Sequence, residues 1–263
     1  MNGTLVLLHG VASNSRRWAE FAERTRLKDS WRLLRPDLRG NGAAASPRTR
    51  LGMDVWCGDI AKLLDAERCE RAVIVGHCLG ANIALQFAAR HPERVAALVL
   101  IEPMPREALT GNAGWLPLLT PFLHVIYGAF RALNACGIYR RRLEPLDLRE
   151  WDRATRSGER KLSMPASLGV DLAATPVAAY MRMLAATAEP WPDVETIRVP
   201  VLALISSRSS MTDPARTRRA LAALPDCDLV ELDAVHWIPT EQPDAMRSAI
   251  EDWISKRGLE TGP

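Results

Sequence analysis

Paired cysteines are missing from this sequence. Its five cysteines, at 57, 69, 78, 136 and 227, are odd in number and widely spaced, and no two form a CxxC pair. That spacing argues against a zinc ribbon or a thioredoxin-type redox centre, and no motif implies a metal or another cofactor. Charge of one sign is also in short supply. The 34 basic and 31 acidic residues leave a formal charge of +3, too little for the electrostatic footprint of a nucleic-acid binder. The one local basic run, Arg140 to Arg142, reads as a solvated helix face. No apolar stretch reaches the length of a membrane span: the longest candidate, residues 116–130, is interrupted by Pro117, Pro121 and His124. The opening segment MNGTLVLLHG has no basic n-region and no small-residue cleavage site, which predicts a cytoplasmic chain with reduced thiols and no membrane partner.

What is present is an ordinary globular composition. Of 263 residues, 48% are hydrophobic and 25% charged, enough for one large domain or two small ones. Short, largely apolar runs (4–8, 72–76, 95–102 and 199–205), with strand-like segments at 31–42, which runs into a glycine-rich loop, and at 227–233, alternate with segments of helical periodicity (16–26, 53–67, 79–90, 213–224 and 244–256). Such runs suit strands buried on both faces of a parallel sheet, and the alternation predicts an α/β fold. Between 103 and 191 the texture changes to proline-punctuated segments with no clear buried strand. The sequence therefore predicts a core from residues 1–102 and 192–263, interrupted by a helical lid or cap insertion at 103–191 built of short amphipathic helices.

The chemistry concentrates at Gly76-His77-Cys78-Leu79-Gly80. A cysteine between two glycines, at the end of a strand and the start of a helix, matches the nucleophile elbow G-x-(Ser/Cys)-x-G. The sharp turn needs small neighbours, and the helix N-terminus favours an anion. A structural thiol in a tight turn is the alternative. Two further segments favour the nucleophile. LLHGVASNSRRW (7–18) ends a strand in His9-Gly10 and offers the Val11 N–H to pair with the Leu79 N–H as an oxyanion hole. LDAVHWIPTEQP (232–243) presents His236 in a loop after the last strand.

With these pieces the chain resembles the α/β-hydrolase superfamily along nearly its full length. The matching segments are LLHG, RPDLRGNG, VIVGHCLG, AARHPERV and VHWIPTEQP, in the family's order. The resemblance implies an α/β-hydrolase fold with Cys78 as nucleophile, His236 as general base, and Val11 and Leu79 as oxyanion hole. It gives His9 and His77 a role in shaping the site floor, His91 a helix-ending role, and Asp37 and Arg39 a structural turn. Three departures stand out. Cysteine replaces the usual serine, as in dienelactone hydrolases and some thioesterase domains, and its acyl intermediate would be a thioester. Ser209 occupies the position where the family commonly has its acid. Glu102, Asp213 or no carboxylate at all could then complete the site, with Glu102 favoured because haloalkane-dehalogenase-like members carry their acid there. The family's first two strands are not seen before His9, which predicts a mainly parallel sheet of about six strands.

The first functional expectation is an enzyme acting on a small-molecule or carrier-bound ester or thioester, by hydrolysis or acyl transfer. Trp115, Leu116, Leu118, Leu119, Phe122, Val125, Ile126 and Phe130 would line an apolar acyl site, or pack the lid on the core. The second is a lyase on the same scaffold, with His236 as base and no acyl-enzyme, of the kind that eliminates acetate in tetronate natural-product biosynthesis. A non-enzymatic binding protein of this fold is the third.

Overall fold

The computed structural model describes residues 2–46, 49–138, 143, 147–157 and 168–259. The arginine run at 140–142 lies outside the described residues. Six strands form one sheet: β1 (Gly3–Leu8), β2 (Trp31–Leu34), β3 (Ala72–His77), β4 (Val95–Ile101), β5 (Val201–Ser206) and β6 (Cys227–Leu232). Their order is β2-β1-β3-β4-β5-β6, and every neighbouring pair is parallel. The α/β fold with a six-stranded sheet is as the sequence predicted.

The continuous apolar runs follow from the two covered faces of the sheet. Val6, Leu8, Ile74, Leu98, Leu100, Ala203 and Ile205 point to one core, and Leu5, Leu7, Val73, Val75, Val99, Leu202 and Leu204 to the other. Alternate residues thus enter opposite cores, and polar residues such as His77 and Ser206 appear only at the carboxyl ends of the central strands. Four core helices follow the strands: α1 (Ala19–Arg24), α2 (Met53–Ala66), α3 (Leu79–Arg90) and, after an insertion, α8 (Pro214–Leu221). The insertion carries α4 (Leu116–Ala135), α5 (Leu148–Arg156), α6 (Leu168–Ala174) and α7 (Val177–Thr187), and the chain closes with α9 (Ile238–Glu241) and α10 (Pro243–Lys256).

One helix of the insertion departs from expectation. The prolines at 117 and 121 predict breaks between short helices, yet α4 runs unbroken for 20 residues. Pro117 sits in its first turn, where the missing N–H costs nothing. Pro121 forfeits only the bond to the Pro117 carbonyl, on an exposed side of the helix where water substitutes. What sustains the helix is tertiary packing: α4 lies along α7 and buries Leu116, Leu123 and Asn134.

The parallel register brings all strand C-termini to one edge, with Leu8 beside Gly76, Gly76 beside Leu100, and Ile101 beside Leu204. The chain order reverses between β1 and β3, so the crevice opens there. α3 reaches that edge because its second residue has no side chain: a Cβ on Gly80 would strike the carbonyls of Leu8 and His9, and one on Gly76 would strike the Gly80 backbone. Gly80→Ala is therefore expected to destabilise the chain by about 3 kcal/mol. Urea unfolding monitored by tryptophan fluorescence would measure it, and a loss below about 1 kcal/mol would mean that α3 shifts without strain.

Candidate active site

Cys78 caps the start of α3 with φ 55° and ψ −118°. A non-glycine residue held there stores strain of about 1–3 kcal/mol, and such strain clusters at functional sites. Its N–H donates to the Ile101 carbonyl at 2.9 Å, and its carbonyl accepts from the N–H groups of Ala81 at 3.0 Å and Asn82 at 3.3 Å. Leu79 opens the helix, so its N–H is among the four that a helix leaves without an internal acceptor. The β1 loop passes close by: a Cβ on Gly10 would lie 3.2 Å from Cβ of Cys78. Among the described residues no acceptor engages the Val11 N–H. The Leu79 N–H thus opens the helix next to Cys78, and Val11 follows Gly10 in the loop beside it.

Glu102 directly follows β4 and also adopts a positive φ, 49°. Its Oε2 lies 3.1 Å from Nδ1 of His236, with both residues buried at 2% and 3% exposure. Oε1 accepts from the Ser206 N–H, and the Ser209 hydroxyl donates to Oε2 at 3.3 Å. Ser209, at the position where the family commonly has its acid, therefore bonds to Glu102. Asp213 stands elsewhere, capping α8 by accepting from the Arg216 N–H at 2.9 Å. Burial works to lower the His236 pKa. Hydrogen bonding and charge from Cys78, joined by those of Glu102, outweigh it and raise it from 6.5 to about 10.

Burial holds two further histidines, His9 and His77, below their ordinary pKa. His9 accepts from the Leu38 N–H at Nε2 and donates from Nδ1 to the Gly10 carbonyl, both at 2.9 Å. Burial pushes its pKa down to about 4. His77 donates from Nε2 to the His236 carbonyl at 3.3 Å, and burial followed by the charge of His236 holds it well below 6.5. His91 ends α3, and His124 is exposed on α4. Asp37 accepts from the N–H groups of Ser15 at 2.6 Å and Ala43 at 2.7 Å, and Arg39 pairs with Asp59; both brace loops.

Sequence reasoning missed four residues around this set. Met104 places its sulfur 3.2 Å from Sγ of Cys78. Asn82 ties α3 to the insertion, exchanging hydrogen bonds with the Met104 backbone, donating to the Thr187 carbonyl and accepting from the Trp191 indole. Glu241 accepts from the N–H groups of Val235, His236 and Trp237 and so shapes the loop that carries His236. Ser209 was noted only as a missing aspartate. Glu241 alone had a local signal, a carboxylate five residues beyond the histidine inside a quoted motif; the others depend on long-range contacts. Of the eight apolar residues expected over the site, only Leu116 shares the cluster of Cys78, Met104, Leu109 and Leu123. Trp115, Leu118, Leu119, Phe122 and Val125 face outward instead. No group of three or more His, Cys, Asp or Glu among the described residues is arranged to hold a metal ion.

A strained residue at a strand-to-helix turn, an imidazole beside it and a carboxylate bonded to that imidazole make up the candidate site on this sheet. The profile of the alpha/beta hydrolase fold matches residues 3–243, and the chain belongs to that family of enzymes. The 2-hydroxymuconate semialdehyde hydrolase of Pseudomonas sp. (strain CF600) is 34% identical over 126 residues, 47% of this chain and 41% of that protein. RutD of Caulobacter sp. (strain K31) is 27% identical over 269 residues, 96% of this chain and 90% of that protein. An esterase from Thermogutta terrifontis has the same fold, with a TM-score of 0.70 at 20% identity over 98% of this chain and 90% of that one. The chain spans between 28% and 41% of the length of the first curated relatives it matches.

The raised pKa has a measurable sign. His236 contributes stability that is full below pH 6.5 and lost as pH rises through about 10. Glu102→Gln removes one of the groups that raise it, so the loss is expected to begin at lower pH. Urea unfolding from pH 6.5 to pH 10 tests this; an unchanged pH dependence would show that Glu102 does not support the imidazolium. Asp213→Ala is expected to cost about 1 kcal/mol of helix-cap stability and leave that pH dependence unmoved.

Proposed function

We propose that this chain is an acyl-handling enzyme that acts on esters or thioesters through Cys78, His236 and Glu102. The observation that carries the proposal is the buried Glu102–His236–Cys78 line at a strained elbow. In the first step the Sγ proton passes to the His236 imidazole. Sγ attacks the substrate carbonyl carbon, and the Val11 and Leu79 N–H groups receive the oxyanion. His236, positioned through Nδ1 by Glu102, gives its proton to the leaving alcohol or thiol. A thioester remains on Cys78. Water, or an alcohol or amine acceptor, then loses a proton to His236 as it attacks, and the acid or transferred acyl product leaves as His236 returns that proton to Sγ. Named hydrolases and an esterase among the relatives and structural neighbours support the reaction class. The apolar side chains beside Cys78, including Met104, Leu109, Leu116 and Leu123, suit an apolar acyl group on a small molecule or carrier.

Intact-protein mass after brief exposure to acyl thioesters and aryl esters tests this reading. Wild type is expected to gain one acyl mass, and Cys78→Ala none. Glu102→Gln is expected to lower kcat/KM by about a hundredfold or more. If no ester or thioester acylates or is hydrolysed, while a substrate loses a proton and a leaving group in a His236-dependent step, the lyase alternative replaces this proposal.

A further inference from the structure

One buried ion pair has no part in the proposed chemistry. Arg17 lies in the short turn Ser15–Trp18 that follows the Val11 loop. Its Nη1 donates one hydrogen to Oδ1 of Asp152 on α5 and one to Oγ1 of Thr240 on α9, both at 2.6 Å. Oγ1 of Thr240 donates in turn to Oδ1 of Asp152 at 2.7 Å, which closes a ring. The Arg17 and Asp152 side chains are 8% and 10% exposed, and Thr240 is buried. Taking both charges out of water is costly, and apolar side chains of similar volume often stabilise such a contact as well or better. Stability is therefore a poor account of this ring. Direction is a better one, because hydrogen bonds fix angles that apolar packing leaves free.

The ring joins three segments that bear on the site. Arg17 follows the loop that carries Val11, Asp152 belongs to the insertion, and Thr240 sits in the helix that starts just after His236. Ile238 sinks fully into the core and sets the depth of α9. Its non-directional burial does not set the rotation. Thr240 adjoins Glu241, which gathers the N–H groups of Val235, His236 and Trp237, and the Thr240 N–H donates to the Trp237 carbonyl at 2.8 Å. A bond that fixes Thr240 thus fixes the turn that carries the imidazole. That imidazole faces Cys78 on α3, Glu102 after β4 and the His77 ring, 5.4 Å away between centroids. A small rotation of α9 would change those partners. The outer pair of Arg16 with Asp147, at 3.5 Å, is exposed and contributes little.

We propose that Asp152 is a positioning residue for His236: through Thr240 and Arg17, α5 holds the histidine loop in register with the Val11 loop, so that the insertion completes the candidate active site. The catalytic consequence rests on the acyl-handling reading above, whereas the placement of the imidazole does not.

Histidine NMR of the full chain tests the placement without substrate. The His236 signal, identified by its loss in His236→Gln, is expected to titrate at about 10 in wild type. In Asp152→Ala and Thr240→Val it is expected to move toward 6.5 as the loop turns from Cys78 and Glu102. Thr240→Val leaves the Arg17–Asp152 pair in place, and Thr240→Ser, which keeps the hydroxyl, is expected to restore the wild-type titration. With an ester or thioester that wild type turns over, Asp152→Ala and Thr240→Val are expected to lower kcat about tenfold or more and to change KM less. A His236 titration that stays in its wild-type place in folded Thr240→Val overturns the proposal, as does one that Thr240→Ser fails to restore. Should Asp152→Ala not fold, the two Thr240 variants carry the same test. If the titration moves as expected while no ester or thioester reacts even with wild type, the positioning role stands and the acyl-handling reading falls.

Discussion

Everything at the carboxyl edge of the sheet depends on how closely α3 approaches β1. The helix begins against the Leu8 and His9 carbonyls, a separation that only glycine at position 80 permits, and glycine at position 76 leaves room for the same turn. Within that space Cys78 has little freedom to relax from its positive φ, and the surrounding packing holds strain that an open loop would release. The same approach brings the Gly10–Val11 backbone alongside the thiol and leaves the Leu79 N–H at a helix start. The strained turn at Cys78 and the nearness of the β1 loop are thus consequences of one steric fact.

The carboxylate beside His236 follows a different logic. Glu102 ends β4, next to β5, and its carboxylate is held between the Ser206 N–H, the Ser209 hydroxyl and Nδ1 of His236. A carboxylate so buried requires such partners, because burial disfavours its charge. The arrangement uses the β5 loop, where the family commonly carries the acid itself, as a donor to an acid one strand away. Adjacent parallel strands put both positions over the same histidine, so the carboxylate changes element without changing its target. Glu241 completes the arrangement from below by gathering the N–H groups of the histidine loop.

The insertion shows where burial rather than pattern decides. Apolar residues at helical spacing in α4 read equally as a pocket lining or as packing against the core. The structure divides them: Leu116 and Leu123 go inward, and Trp115, Leu118, Phe122 and Val125 outward. Spacing defines the stripes of a helix but not the rotation that chooses which stripe meets the protein. That rotation is set by α7, whose sequence carries no mark of its partner. Proline misleads for the same reason, since a break in an isolated helix is tolerable where packing supplies the stability and water reaches the freed carbonyl.

Much of the fold was legible in the residues. Short apolar runs alternating with amphipathic segments specify strands and helices through local backbone preference and two-sided burial, and the six strands fall close to where those runs lie. The glycine-bounded cysteine and the loop histidine were legible too, because a sharp turn at a helix start constrains the residue types that fit. The acid was not: Glu102, Asp213 and no carboxylate all remained open in the sequence, and only the register of β4 against β5 brings Glu102 to His236 and sends Asp213 to cap α8. Met104, Asn82 and Ser209 likewise acquire their places through contacts between distant segments. Local order is written in neighbouring residues, whereas the pairing of charges and the choice of exposed faces depend on which strands and helices lie side by side.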